Sequence, residues 1–227
     1  MQFIIFGLGN FGFSLGSKLT KLGHEVIGVD RDIEKIELVR DRLTHVVALD
    51  ATNFQAVKSL PIESADAVIV AIGENEGASI MTTALLKQFN PKRIISRSIS
   101  SLQETVLESM GIAEIVHPEE DSAERLALKL DMKGVVESFA ISDQYSIIEV
   151  QTPERYIGKT LIDANLRVKY GINVLTIIRI EEKVNLLGIV RKKQKVLGTV
   201  QGDTVLAQDD ILVIFGSKDD NQQFMDA

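Results

Sequence analysis

A chain of 227 residues has room for one large domain or two small ones, and its 45% hydrophobic content allows a real core. With 32 acidic residues against 25 Lys and Arg, the net charge of −7 argues against nucleic acid as a general partner. The absence of cysteine excludes disulfides, thiolate metal sites and a cysteine nucleophile, and no run nears the ~18–20 apolar residues that span a bilayer.

The chain starts directly in a strand pattern, with no basic segment or cleavage site, so a soluble protein without a signal peptide is expected. Phe3 to Phe6 are four apolar residues in a row, as in a strand buried on both faces. Gly7, Gly9 and Gly12 follow in a G-x-G-x-x-G pattern, and Phe13 to Leu22 then carry apolar residues at helical spacing. A glycine pattern placed where a strand turns into a helix is a dinucleotide-type fingerprint. Gly7 permits the tight turn, Gly9 lets a pyrophosphate approach the backbone, and Gly12 lets helix and strand pack closely. The free N–H groups at the helix start, with the helix dipole, favour an anion there. Glu25 to Val29 form the next strand, and Asp30 ends it, 18 residues after Gly12. A carboxylate there accepts hydrogen bonds from ribose hydroxyls and repels a 2′-phosphate.

Alternation continues to about residue 130. Helices are expected over Ile33–Leu43, Phe54–Leu60, Gly77–Phe89, Leu102–Met110 and Glu119 to about Lys133. Strands are expected over His45–Leu49, Ala67–Ile72, Arg93–Arg97 and Ile112–Val116. Six strands alternating with helices imply a doubly wound, Rossmann-like α/β parallel sheet, with strand order 3-2-1-4-5-6.

The pattern changes at Gly134. Val135–Ile141, Ser146–Val150, Val174–Ile180, Asn185–Val190, Thr204–Leu206 and Ile211–Ile214 read as strands separated by turns, with only Thr160–Leu166 and Asp219–Phe224 helical. The expectation is two domains, 1–134 nucleotide-binding and 135–227 a small, strand-rich α+β module.

In an open parallel sheet the ligand lies outside the carboxyl ends of the strands. Those ends carry Gly7, Leu8, Gly9, Asn10, Phe11 and Gly12, then Asp30 and Arg31, Asp50, Ala51 and Thr52, and Ala71, Ile72 and Gly73. Asp50 meets an adenine amine or caps the helix from Asn53. Arg97 neutralises a phosphate or pairs with a surface acid. Glu119 binds a cation or caps its helix. Catalytic machinery is absent from the pattern. His24 and His45 precede strands at the wrong end of the sheet, and His117, at the correct end, has no carboxylate partner implied by spacing. No Tyr-x-x-x-Lys pair or His-Glu-x-x-His spacing occurs. A hydride-transfer enzyme needs an acid or base within reach of its substrate. A nucleotide site without that set reads as a sensor; the alternatives are an NAD-dependent oxidoreductase and a stand-alone nucleotide-binding scaffold.

The strings GLGNFG, VIGVDRD, VVALDAT, AVIVAIGENEGASIMTT, ISRS, MGIAEIVHPEED and IGKTLIDANLRVKYGINVLTI occur in this order over essentially the whole chain. In this the sequence resembles the regulatory subunits of Ktr/Trk-type potassium uptake, which carry an RCK domain in two parts. The resemblance implies a cytoplasmic, non-enzymatic regulatory subunit, peripheral at the inner face of the membrane. Its implied partner is an integral-membrane potassium transporter or channel, under which such subunits dimerise and assemble into an octameric ring. The implied ligand is an adenine nucleotide, ATP/ADP or NAD(H), which sets the shape of the ring. ATP-responsive members commonly have an arginine in the fingerprint where this chain has Asn10. Glu119, in HPEED, matches a position that helps bind Mg²⁺ or another cation near the phosphates. Leu166, Arg167, Val168, Asn173 and Val174 match positions around a cyclic di-AMP site, or line a dimerisation module with no ligand. Where relatives have a proline-bearing hairpin, this chain has Arg191-Lys192-Lys193-Gln194-Lys195, read as a solvated hairpin tip or a contact for phosphate or lipid.

Overall fold

The computed structural model describes residues 1–131, 134–184 and 190–226. The chain divides into two compact units, Met1–Glu120 and Asp121–Ala227.

The first unit alternates β1 (Gln2–Phe6), α1 (Asn10–Lys21), β2 (Glu25–Asp30), α2 (Ile33–Val39), β3 (His45–Ala48), α3 (Phe54–Val57), β4 (Ala67–Val70), α4 (Glu76–Lys87), β5 (Ile94–Arg97), α5 (Ser101–Ser109) and β6 (Glu114–Val116). All pairings are parallel, in the order β3-β2-β1-β4-β5-β6, as the fingerprint and the alternation require. Side chains alternate across the pleat. Ile4, Phe6, Ile27, Val29, Val68 and Val70 face one apolar cluster with Leu85 and Leu86 of α4. Ile5, Val26, Ala67 and Ile69 face the other with Ile36, Val39 and Leu43. Because the strands are buried on both faces, they read as unbroken apolar runs.

The starts of α2, α3, α4 and α5 are set by side-chain caps. Asp32, Asn53, Asn75 and Ser100 each accept a hydrogen bond from a backbone N–H of the turn that follows. The cap of α3 is therefore Asn53. Asp50, read from the sequence as a possible cap for that segment, instead accepts from the Thr52 N–H and hydroxyl at 2.9 and 2.7 Å. The helix from Ile33 is shorter than expected: α2 ends at Val39 and a 3₁₀ turn, Arg40–Arg42, follows.

α6 (Pro118–Asp131) holds the division between the units. Beyond it come β7 (Val135–Ala140), β8 (Tyr145–Gln151), α7 (Leu161–Ala164), α8 (Leu166–Tyr170), β9 (Asn173–Val184), β10 (Val190–Val196), β11 (Ile211–Ser217) and α9 (Lys218–Asp226). The strands form an antiparallel sheet, β10-β9-β11-β8-β7. Ile148, Val150, Ile177, Leu212, Ile214 and Phe224 belong to its core. Asp210, 1% exposed, is held by the Arg179 guanidinium at 2.8 and 2.7 Å.

Four expectations in this half are corrected. The single helix over Thr160–Leu166 is two short ones, because Asn165 takes a left-handed conformation (φ 48°) between them. Asn tolerates that region better than most residues. Thr204–Leu206 is no ladder strand: Val205 makes one isolated bridge to Thr160. The strand expected from Val174 to Ile180 runs on to Val184. The basic run is not a hairpin tip but most of edge strand β10, in register with β9 from Val190 opposite Val184 to Val196 opposite Ile178. Charge on an edge strand discourages further strand pairing. Most of the strand expected over Asn185–Val190 lies outside the described residues.

Candidate functional site

A cavity of about 640 Å³ opens at the carboxyl ends of the parallel strands. Its lining gathers Gly7, Gly9, Asn10, Phe11, Asp30, Arg31, Asp50, Ala51, Thr52, Ala71, Ile72, Gly73, Arg97 and Glu119 from across the first unit. Two residues expected in the site do not line it. The Leu8 side chain is buried in the core, and Gly12 lies in the first turn of α1, against Gly7 and Ala71.

The glycines have separable reasons. Gly7 has φ +97°, which a side chain rarely adopts, and a Cβ on Gly12 would collide with the Gly7 carbonyl oxygen. Those two are required by the fold. Gly9 is different: its φ is −65°, and a Cβ there would meet no protein atom within 4 Å. Open space above an N-terminal helix turn, beside a cavity, is where an anion can reach backbone N–H groups.

Asp30 is oriented from both sides. One carboxylate oxygen accepts the Leu8 N–H at 2.7 Å, and the other accepts the Asp32 N–H at 3.0 Å. The remaining lone pairs are presented to the cavity wall it helps to form. Asp50 is held below the ordinary carboxylate range by the Thr52 hydroxyl, then by the Thr52 N–H.

Arg97 crosses the floor of the site. Its guanidinium side chain is only 14% exposed; it pairs with Glu119, reaches the Ala71 carbonyl at 3.4 Å, and lies 5.8 Å from the Phe11 ring centroid. A Cβ on Gly73 would run into it. Behind it, the fully buried Gln103 of α5 donates to the Arg97 carbonyl at 3.2 Å and to the Ser79 hydroxyl of α4 at 3.1 Å, and accepts the Ile99 N–H at 3.0 Å.

Besides Arg31 and Arg97, the cavity holds a third cation that the sequence did not single out. Lys35, in the first turn of α2, lines the cavity and pairs with Glu74 at 2.9 Å. That hydrogen bond chiefly raises its pKa, with Asp30 and Asp32 adding to the effect. Asp32, Glu74, Asn75, Met81 and Thr82 also line the cavity. The signal was available in part: Asp32 caps α2, so the third residue of that helix stands one turn from the strand end.

Glu119 is the one site residue with a proposed cation role, and its carboxylate is engaged by Arg97. Among the described residues no group of three or more His, Asp or Glu gathers as a metal cage. The residues present fit a cation only where phosphate and water supply most of the ligands, which is how Mg²⁺ is commonly held. His117, for which spacing implied no carboxylate partner, lies with Nε2 3.4 Å from a carboxylate oxygen of Glu104 of α5, without a hydrogen bond between them. His45 lies within β3, exposed, 3.8 Å from Glu25.

In the second unit, Leu166 is 3% exposed within the core, so its side chain serves packing. Arg167 and Val168 of α8 are exposed, and Asn173 and Val174 begin β9, with Val174 packed against the core. No helix among the described residues is long and apolar enough to cross a membrane.

The TrkA-N domain model matches residues 3–118. Ktr system potassium uptake protein C of Bacillus subtilis (strain 168) is 35% identical over 223 residues, covering 98% of this chain and 95% of that protein. Two solved structures share the fold over 100% of this chain at a TM-score of 0.65: the GsuK RCK domain, at 18% identity, and the GsuK channel bound to NAD, at 17%. The chain spans 48% and 39% of those two chains.

Proposed function

The chain belongs to the TrkA-N domain family, with Ktr-type potassium uptake proteins among its relatives, and from that premise we propose that it is a nucleotide-sensing regulatory subunit of a membrane potassium transporter or channel. It acts from the cytoplasmic face, without catalysis of its own, as an oligomer whose ring conformation responds to the ligand. The observation that carries this reading is the cavity itself. An oriented acid, Asp30, stands at the end of β2, and a glycine at position 9 has open space where a phosphate would rest.

The ligand is an adenine nucleotide, ATP/ADP or NAD(H); a solved channel of the same fold is bound to NAD. Asp30 holds the ribose, the backbone of Gly9 to Gly12 holds the phosphates, Arg97 neutralises them, Asp50 meets the base, and Ala71, Ile72 and Gly73 cover the nucleotide near the phosphates. Glu119 serves as one ligand of a phosphate-borne cation once Arg97 turns to the phosphate. In the second unit, Arg167, Val168, Asn173 and Val174 are proposed to meet cyclic di-AMP, Leu166 supporting them from the core. The functional modules divide at 134/135, where Gly134 (φ +88°) precedes β7.

The first test is mass spectrometry of the small molecule retained through purification, expected to be an adenine nucleotide. Titration then separates the ligands. Arg97 and Lys35 each already hold a carboxylate and Asn10 carries no charge, so without divalent metal ATP and ADP are expected to differ by less than ~1.4 kcal/mol, about tenfold. Added Mg²⁺ is expected to shift the preference toward ATP, and Glu119→Gln to remove that shift. A substrate-dependent change in NADH absorbance would instead identify an oxidoreductase.

A further inference from the structure

We infer that Lys35 is a second phosphate-contacting cation of the cavity, held in reserve by Glu74; this rests on the nucleotide reading above. The sheet order places β1 between β2 and β4. Lys35 stands in α2, which follows β2, and Glu74 follows β4. Their ion pair at 2.9 Å therefore crosses over the carboxyl end of β1. Gly7, Gly9 and Asn10, at that end, line the same cavity as Lys35 and Glu74. A nucleotide with its phosphates on the glycine turn lies within the span of this crossing.

The two partners are unequal. The Lys35 side chain is 31% exposed and the Glu74 side chain 76%, so Glu74 swings into water with little loss while Lys35 stays at the cavity wall. An exposed pair of this kind is weak, and a carboxylate that leaves it is readily rehydrated. The ammonium has three donors, and among the described residues Glu74 is its one hydrogen-bonded partner. A phosphate brings several acceptor oxygens and more negative charge than one carboxylate. Asp30 and Asp32 remain beside Lys35 after the exchange and keep it protonated.

This assignment makes the two members of the pair act with opposite sign. If the pair only braced α2 against the loop after β4, removing either member would shift affinity in the same direction. If Lys35 binds the ligand and Glu74 competes for it, Lys35→Met weakens binding and Glu74→Gln strengthens it. The experiment is a calorimetric titration of the full chain with ADP at low ionic strength. Lys35→Met is expected to bind about fivefold more weakly and Glu74→Gln about threefold more tightly, the scale of one exposed charge contact. Lys35→Gln provides a second variant should Lys35→Met lose its cooperative thermal transition. Unchanged affinity in the lysine variants, or lysine and glutamate variants moving together, would overturn the inference and leave the nucleotide reading standing. Failure of the unsubstituted chain to bind any adenine nucleotide would overturn both.

Discussion

Asp30 shows how much a single side chain can carry. Its two oxygens take the Leu8 and Asp32 N–H groups, so the carboxylate reaches the cavity already oriented and pays little rotamer entropy on binding. Asp30→Ala is expected to weaken adenine-nucleotide binding by ~1.5–3 kcal/mol, the scale of a hydrogen bond to a charged group. Calorimetry on a folded variant checks this, and unchanged affinity would sink the assignment. The glycines divide in the same way. Gly12→Ala is expected to lower the melting temperature sharply, because its Cβ has no space beside the Gly7 carbonyl. Gly9→Ala should leave the melting temperature nearly unchanged and weaken nucleotide binding, because no protein atom stands within 4 Å of its Cβ and the proposed phosphate would. A Gly9→Ala chain that binds normally would remove the phosphate from that turn. The pattern G-x-G-x-x-G names all three positions alike; the separate reasons appear only with neighbours in place.

At the scale of elements, the layer between α4, β5 and α5 is polar where a core is expected to be apolar. Ser79, Thr82, Thr83, Ser96, Ser98 and Gln103 are each no more than 1% exposed. Thr83 donates to the Ser79 carbonyl at 2.9 Å and lies 3.2 Å from the Ser96 hydroxyl. Gln103 joins the strand end that carries Arg97 to the helix that carries Ser79. Removing it strands the Ile99 N–H and the Arg97 carbonyl. Gln103→Leu is expected to cost ~1–3 kcal/mol of stability, the penalty for unsatisfied buried polar groups. Denaturant titration measures this, and an unaltered midpoint would mean that water replaces the amide. Elements of the second unit were legible as types more than as lengths. β7 and β8 were found near their expected limits and β11 runs three residues past its expected end, while α7 and α8 were read as one helix because an αL Asn165 does not interrupt the apolar spacing. The lysines of β10 read as a loop because charge usually marks one, whereas an edge strand has one side free of a sheet neighbour and tolerates charge.

For the whole molecule, α6 presents Leu126 and Leu130 at 55% and 76% exposure, with Ala123 and Ala127 also exposed in the single chain. Apolar side chains at helical spacing left in water favour a second copy. The chain is expected to be at least a dimer, and an octamer with nucleotide bound. Light scattering at micromolar concentration tests this, and a monomer would contradict it.

The order of the six parallel strands was determined by the sequence alone. Strand and helix periodicities differ, crossovers have one hand, and the glycine pattern marks the first strand. The same pattern placed Asp30 at the rim, because the end of a strand is a local feature. What the sequence could not determine was which distant side chains meet: Lys35 with Glu74, Glu104 with His117, Arg97 with Glu119, Gln103 with Ser79. Each pair joins separate elements, and whether two such side chains touch depends on helix rotation, loop path and rotamer. Those are decided by packing the apolar faces against the sheet, and nothing in the local spacing of residues records their outcome.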